Sequence, residues 1–91
     1  MPYIKQKDRD KLDEAINNLV FAVTGTLNEG NENLDGILNY CFFRICNHLY
    51  PKKYHWLNRM MGMMECCKLE LYRRLVAPYE DEKIISNGDV L

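Results

Sequence analysis

Apolar residues recur at spacings of three and four along most of this sequence, which is the period of an amphipathic α-helix. A polar segment at residues 28–33 and a proline, Pro51, divide the pattern into three stretches. The three apolar stripes are formed by Leu12, Ile16, Leu19, Val20, Val23 and Leu27, then by Leu38, Cys41, Phe42, Ile45, Cys46 and Leu49, and finally by Leu57, Met60, Met64, Cys67, Leu71 and Leu75. The pattern predicts an all-α fold, a compact three-helix domain with a long C-terminal helix.

The expected domain covers residues 1–91 and begins with a polar lead-in at residues 1–8. Asp8 or Asp10 is the predicted N-cap of the first helix, because a carboxylate can accept the free N–H groups of the first turn. The first helix is predicted to end near residues 24–27. The second is predicted from about Leu34 to Leu49 and the third from about Tyr54 to Ala77, where a proline stops or kinks it. Residues 80–91 are expected to form a tail with a little more helix.

The third predicted helix is apolar on two sides. Its second apolar set consists of Trp56, Met63, Tyr72, Val76 and Tyr79. A chain of this length has a thin core of its own, and only two other helices are available to cover the third. We therefore expect a homo-oligomer. Gly62, within this helix, either marks the close approach of another backbone or is simply tolerated.

Composition excludes several classes of protein. The net charge of −1 disfavours a protein that coats nucleic acid, and no apolar run is long enough to span a membrane. No secretory signal follows the N-terminus, which indicates the cytoplasm and a reducing environment. The four cysteines are therefore interpreted as buried free thiols, and their spacing with His48 and His55 matches no zinc pattern. No metal and no cofactor are predicted.

The densest polar cluster lies near the C-terminus, around Glu70, Arg73 and Arg74. The simplest interpretation is a set of surface ion pairs at helical spacing. Neighbouring side chains on a helix point about 100° apart, so we expect that the two arginines do not share one partner. The second arginine would then contact either a phosphate-bearing ligand beside Tyr72 and Tyr79, or another subunit. Residue spacing leaves both interpretations open.

Catalysis is not predicted. Glu65 and Glu70 are five positions apart and so lie about 140° apart around the helix, which prevents them from converging on one atom within one chain. A nucleotide enzyme that uses one of them with a metal held between chains is the alternative ranked last. No nucleophile motif and no glycine-rich phosphate loop is present. The protein is therefore more plausibly a binder than an enzyme, and no catalytic residue is assigned.

Several segments resemble a small protein family encoded by bacteriophages and integrated elements. They are Met1-Pro2-Tyr3-Ile4-Lys5-Gln6, Leu38-Asn39-Tyr40, Glu70-Leu71-Tyr72-Arg73-Arg74, Pro78-Tyr79-Glu80, Lys83 and Asn87-Gly88-Asp89-Val90. The C-terminal block is the most specific part. The sequence departs from the family pattern in a long segment between the first two helices and in Cys66-Cys67.

The resemblance implies a setting, the cytoplasm of a host bacterial cell, and an expected role in countering host defence. The first hypothesis is a non-catalytic oligomeric binder that sequesters a nucleotide-type immune signal of the host. Its candidate ligand-binding residues are Arg73, Arg74, Tyr72, Tyr79, Lys83, Asn39 and Tyr40. The alternative is a protein-interaction module that inhibits or regulates a host or phage protein through an exposed apolar helix face.

Overall fold

The computed structural model describes residues 3–91, and Met1 and Pro2 of the predicted lead-in lie outside the described residues. Helix α1 covers Gln6–Asn28, α2 covers Leu34–Leu49 and α3 covers Tyr54–Leu71. A π-helical turn, Tyr72–Val76, joins α3 to α4, which covers Ala77–Asn87. Since α3, this turn and α4 follow one another without a break, they form one long helical stretch at residues 54–87. The all-α prediction of three helices with a long C-terminal helix is confirmed.

The start of α1 differs from the prediction. The N-cap is Lys5, without a capping side chain, and both proposed caps lie inside the helix. The Oδ1 atom of Asp10 instead accepts a hydrogen bond from Nε2 of Gln6, one turn earlier, at 2.9 Å. Arg9 donates from Nε to the carbonyl oxygen of Ile4 at 3.0 Å. Helix α1 therefore begins inside the predicted lead-in of residues 1–8, and the side chains of Arg9 and Asp10 form hydrogen bonds near its start instead of capping it.

The start of α2 has a side-chain cap. Asn33 accepts the backbone N–H of Gly36 on Oδ1 at 3.0 Å, and its own N–H donates to Oδ1 of Asn31 at 3.0 Å. A Cβ atom at Gly36 would lie only 2.8 Å from Cγ of Asn33, so a larger residue there would displace the capping side chain. The cap places the start of α2 at Leu34, as predicted.

Pro78 neither ends nor breaks the C-terminal helical stretch. Proline lacks an N–H, and its ring clashes with the carbonyl group four residues earlier in a regular α-helix. The wider π-helical turn immediately before it relieves that clash, and the N–H of Ala77 donates to the carbonyl oxygen of Tyr72. The predicted end at Ala77 is therefore wrong. Helix continues through most of the predicted tail and stops at Gly88, which adopts a positive φ of 92°.

The described residues form two units, one containing α1 and α2 and the other covering Tyr50–Leu91. In the first unit α1 packs against α2. Across residues 3–91 no side chain is buried, and many large apolar side chains remain more than one-third exposed. Cys41 and Cys46 are half-buried whereas Cys66 and Cys67 are exposed. All four are free thiols, as predicted, but the prediction that they are buried is wrong.

Candidate functional site

Glu70 is the centre of the predicted arginine cluster. Its Oε2 atom lies 2.7 Å from Nη2 of Arg73, and its Oε1 atom lies 3.8 Å from Nη1 of Arg74. The expectation that the arginines have separate partners is therefore wrong. The residues three and four positions after Glu70 lie on either side of it on the helix surface, so each of its two carboxylate oxygens faces one guanidinium group. All three side chains remain more than one-third exposed, which limits the strength of both ion pairs.

Tyr72 and Glu80 are joined across the π-helical turn. The Tyr72 hydroxyl donates to Oε1 of Glu80 at 2.8 Å, although eight residues separate them. This hydrogen bond and the negative charge of the carboxylate raise the pKa of Tyr72 above its usual value of 10.0. The Tyr72 hydroxyl is thus hydrogen-bonded to a residue of its own helical stretch.

Tyr79 and Lys83 form a second local pair. The Nζ atom of Lys83 lies 5.4 Å from the centroid of the Tyr79 ring, which is a cation–π distance. Tyr79 is 58% exposed. Its ring is therefore accessible for stacking, on condition that the ammonium group of Lys83 moves aside or stays on the opposite side of the ring.

An open groove of about 500 Å³ follows the C-terminal end of this helical stretch. It is lined by Tyr72, Ala77, Glu80, Asp81, Lys83, Ile84, Asn87, Gly88, Asp89 and Val90. The charged lining consists of three carboxylates and one ammonium group, so the electrostatic potential there disfavours a phosphate. Tyr72 and Lys83 therefore face an acidic groove, while Arg73 and Arg74 bond to Glu70.

The other two predicted ligand-binding residues belong to the α1–α2 unit. Asn39 is exposed on α2, and the Tyr40 hydroxyl accepts a hydrogen bond from Nη1 of Arg44 at 2.7 Å. Tyr40 also lines an open groove of about 490 Å³ between α1 and α2. The remaining lining residues are Leu19, Ala22, Val23, Thr26, Asn31, Asn33, Gly36, Ile37 and Cys41. This lining is uncharged, so the groove suits an apolar side chain better than an anion.

Comparison with known proteins places the sequence in a family. A family model for a domain of unknown function, DUF6899, matches residues 1–90. The chain belongs to the DUF6899 family. No curated protein and no solved structure matches it. The resemblance to a small family spanning nearly the whole chain is thereby confirmed at the level of the family.

One aromatic cluster of this family member was underestimated from its sequence. Trp56 lies at the start of α3, with the guanidinium carbon of Arg59 4.5 Å from its ring centroid. Tyr50 meets the same ring edge-on at 6.4 Å, and His55 lies at 5.6 Å. The i, i+3 spacing between Trp56 and Arg59 is the signal in the sequence that could have revealed this contact.

The described part of this DUF6899 chain offers no ready-made inorganic site. Among residues 3–91 no three histidine, cysteine or acidic side chains lie close enough together to hold a metal ion. None of the described helices combines the length and apolar character that crossing a membrane requires.

Proposed function

We propose that this protein acts by association and not by catalysis. Its helices assemble with those of further copies, and the assembled module binds and regulates another protein. The observation that carries the proposal is the absence of any buried side chain among residues 3–91, although 47% of the sequence is hydrophobic. Large exposed apolar patches on a small protein mark surfaces that another protein covers.

The C-terminal unit supports this proposal most directly. It consists of one helical stretch, so it contains no second helix to cover Leu71 and Leu75, which are 51% and 64% exposed. Burying one large aliphatic side chain contributes about 1.5–3 kcal/mol. Because Leu57, Leu71 and Leu75 are already partly covered, burying their remaining exposed surface against another copy contributes on the order of 2–5 kcal/mol, which is a large fraction of the stability of a small domain. A second copy supplies a surface with a matching apolar stripe.

The family resemblance supplies the setting of this proposal. We propose that the protein is phage-encoded and works in the cytoplasm of the host bacterium, where it regulates a host or phage protein. The acidic groove beside Tyr72 and the ion pairs of Glu70 favour this interaction role over the sequestration of a nucleotide, because an anionic ligand would have to compete with carboxylates at both places.

Sequestration of a nucleotide-type immune signal is the second candidate. It is favoured by two exposed guanidinium groups on neighbouring residues, Arg73 and Arg74, and by the accessible ring of Tyr79. A phosphate would have to replace Glu70 as the partner of both arginines. This requirement gives a direct test. Glu70→Gln should increase affinity for a cyclic dinucleotide, whereas Glu65→Gln, which removes only an ion pair with Lys68 at 3.1 Å, should not.

The association proposal is tested by native mass spectrometry of the protein purified from cells without refolding, together with thermal unfolding at several protein concentrations. We expect a homo-oligomer whose unfolding midpoint rises with concentration, because assembly and folding are coupled. A monomer that unfolds cooperatively at a concentration-independent midpoint would contradict self-association. A retained ligand with the mass of a nucleotide would support the second candidate, whereas no binding to any member of a panel of cyclic nucleotides would exclude it.

A further inference from the structure

The two ends of the C-terminal helical stretch carry net charges of opposite sign, whereas the charged residues between them, Glu65, Lys68, Glu70, Arg73 and Arg74, form ion pairs with one another. We call the first group the basic end; it consists of Lys52, Lys53 and Arg59, and residues 50–64 contain no acidic residue. We call the second group the acidic end; it consists of Glu80, Asp81, Glu82 and Asp89, with Lys83 as the one base in residues 80–91. The side-chain charges of the two ends are therefore +3 and −3.

Both ends carry the sign of charge that a single helix disfavours. A helix dipole is positive at the N-terminus and negative at the C-terminus, so acids stabilise the first turn and bases the last. The first turn of α3 contains no acid and is preceded by Lys52 and Lys53, while the last turn of α4 contains no base and is followed by Asp89. This distribution opposes the stability of the isolated helical stretch. It becomes favourable only when charge of the opposite sign approaches each end.

The helical stretch cannot neutralise its own ends. Residues 54–87 of a helix extend for on the order of 50 Å, whereas electrostatic interactions at physiological salt are screened beyond about 8 Å. We propose, on the basis of the self-association proposed above, that two copies pair through this stretch in antiparallel orientation. The basic end of each copy then lies beside the acidic end of the other, and the same alignment sets the positive N-terminus of each helix dipole beside the negative C-terminus of the other.

The surface between the two ends fits such a pair. Leu57, Leu71 and Leu75 are exposed along it, and the Met60 and Met64 side chains of the same stripe are half-buried. A two-fold symmetric interface uses the same patch on both copies, so a stripe that runs between ends of opposite charge is self-complementary only in the antiparallel sense. A parallel pair would place like charges together at both ends. The orientation thus follows from charge, while the apolar stripe supplies the contact.

Charge reversal at one end tests the orientation. Lys52→Glu with Lys53→Glu reverses part of the basic end, and Asp81→Lys with Glu82→Lys reverses part of the acidic end without disturbing the hydrogen bond to Glu80. The changes do not oppose the helix dipole, so the helical signal in circular dichroism should be preserved in each variant. We expect each variant to weaken self-association on the order of tenfold at low salt and less at high salt.

Two recombinations make the test specific. A chain carrying all four substitutions should recover wild-type association, and the two single-end variants should pair with each other when mixed, because opposite charges meet again in both cases. Lys5→Glu with Lys7→Glu is the matched control for the basic-end variant, since it makes the same change in net charge but lies in α1 and just before it.

The outcomes separate this inference from the proposed function. The antiparallel pair alone would be overturned if charge reversal at either end left the association unchanged. It would also be overturned if the chain with all four substitutions failed to recover wild-type association. A control variant weakened as strongly as the others would also overturn it, because net charge would then be the cause. A wild-type protein that stays monomeric at every concentration would overturn both proposals.

Discussion

Gly62 allows a quantitative test of which side of α3 contacts another molecule. It lies two residues from both Met60 and Met64, and therefore about 200° around the helix axis from each of them. An added Cβ atom at Gly62 would meet no atom within 4 Å. Because the apolar stripe faces the opposite direction, the close backbone approach considered from sequence is not expected here. Gly62→Ala should instead stabilise the helix without affecting association.

The expected gain comes from helix propensity alone. Alanine is favoured over glycine in a helix interior by about 0.8–1.0 kcal/mol. For a chain of this size each kcal/mol raises the unfolding temperature by about 4–8 °C. The measurement is thermal unfolding followed by circular dichroism, at a fixed protomer concentration so that linked assembly does not alter the midpoint.

Two further glycines are controls for this experiment. Gly25→Ala also meets no atom within 4 Å, but it lies in the last turns of α1, where fraying reduces the gain. Gly88→Ala should destabilise the protein, because Gly88 has a φ of 92° that alanine adopts only with strain. A lower midpoint or weaker association for Gly62→Ala would refute the reasoning, since it would show that another backbone packs on this side.

Two other predictions concern hydrogen bonds seen in the structure. Gly36→Ala should destabilise the start of α2 by about 1 kcal/mol, because the new Cβ atom would displace the capping side chain of Asn33. Urea denaturation measures this loss, and an unchanged midpoint would exclude the cap as a source of stability. Tyr72 has a raised pKa, so its hydrogen bond stabilises the fold while the phenol is protonated, below about pH 10, and this stability is lost as pH rises through the higher pKa of the folded state. Absorbance titration should show that Glu80→Gln removes one late-titrating tyrosine, and a curve identical to that of the wild type would contradict the assignment.

Local sequence signals determined where the helices lie. The three-and-four spacing of apolar residues identified all three helices, and the approximate bounds predicted for α2 and for the start of α3 agree with the structure. These positions depend on short-range interactions, namely the turn residues before Leu34 and the proline at position 51. Such interactions involve residues only a few positions apart, so they are visible in the sequence itself.

The contacts of the candidate site were decided by three-dimensional geometry. One carboxylate, Glu70, serves both arginines, and the π-helical turn brings Tyr72 to Glu80 across eight residues. Regular helical spacing does not predict the second contact, because the turn inserts an extra residue to accommodate Pro78. Helix periodicity likewise showed which residues are apolar but not how far they would be covered. Burial depends on which surfaces meet, and for this chain the described helices leave their apolar sides open to a further molecule.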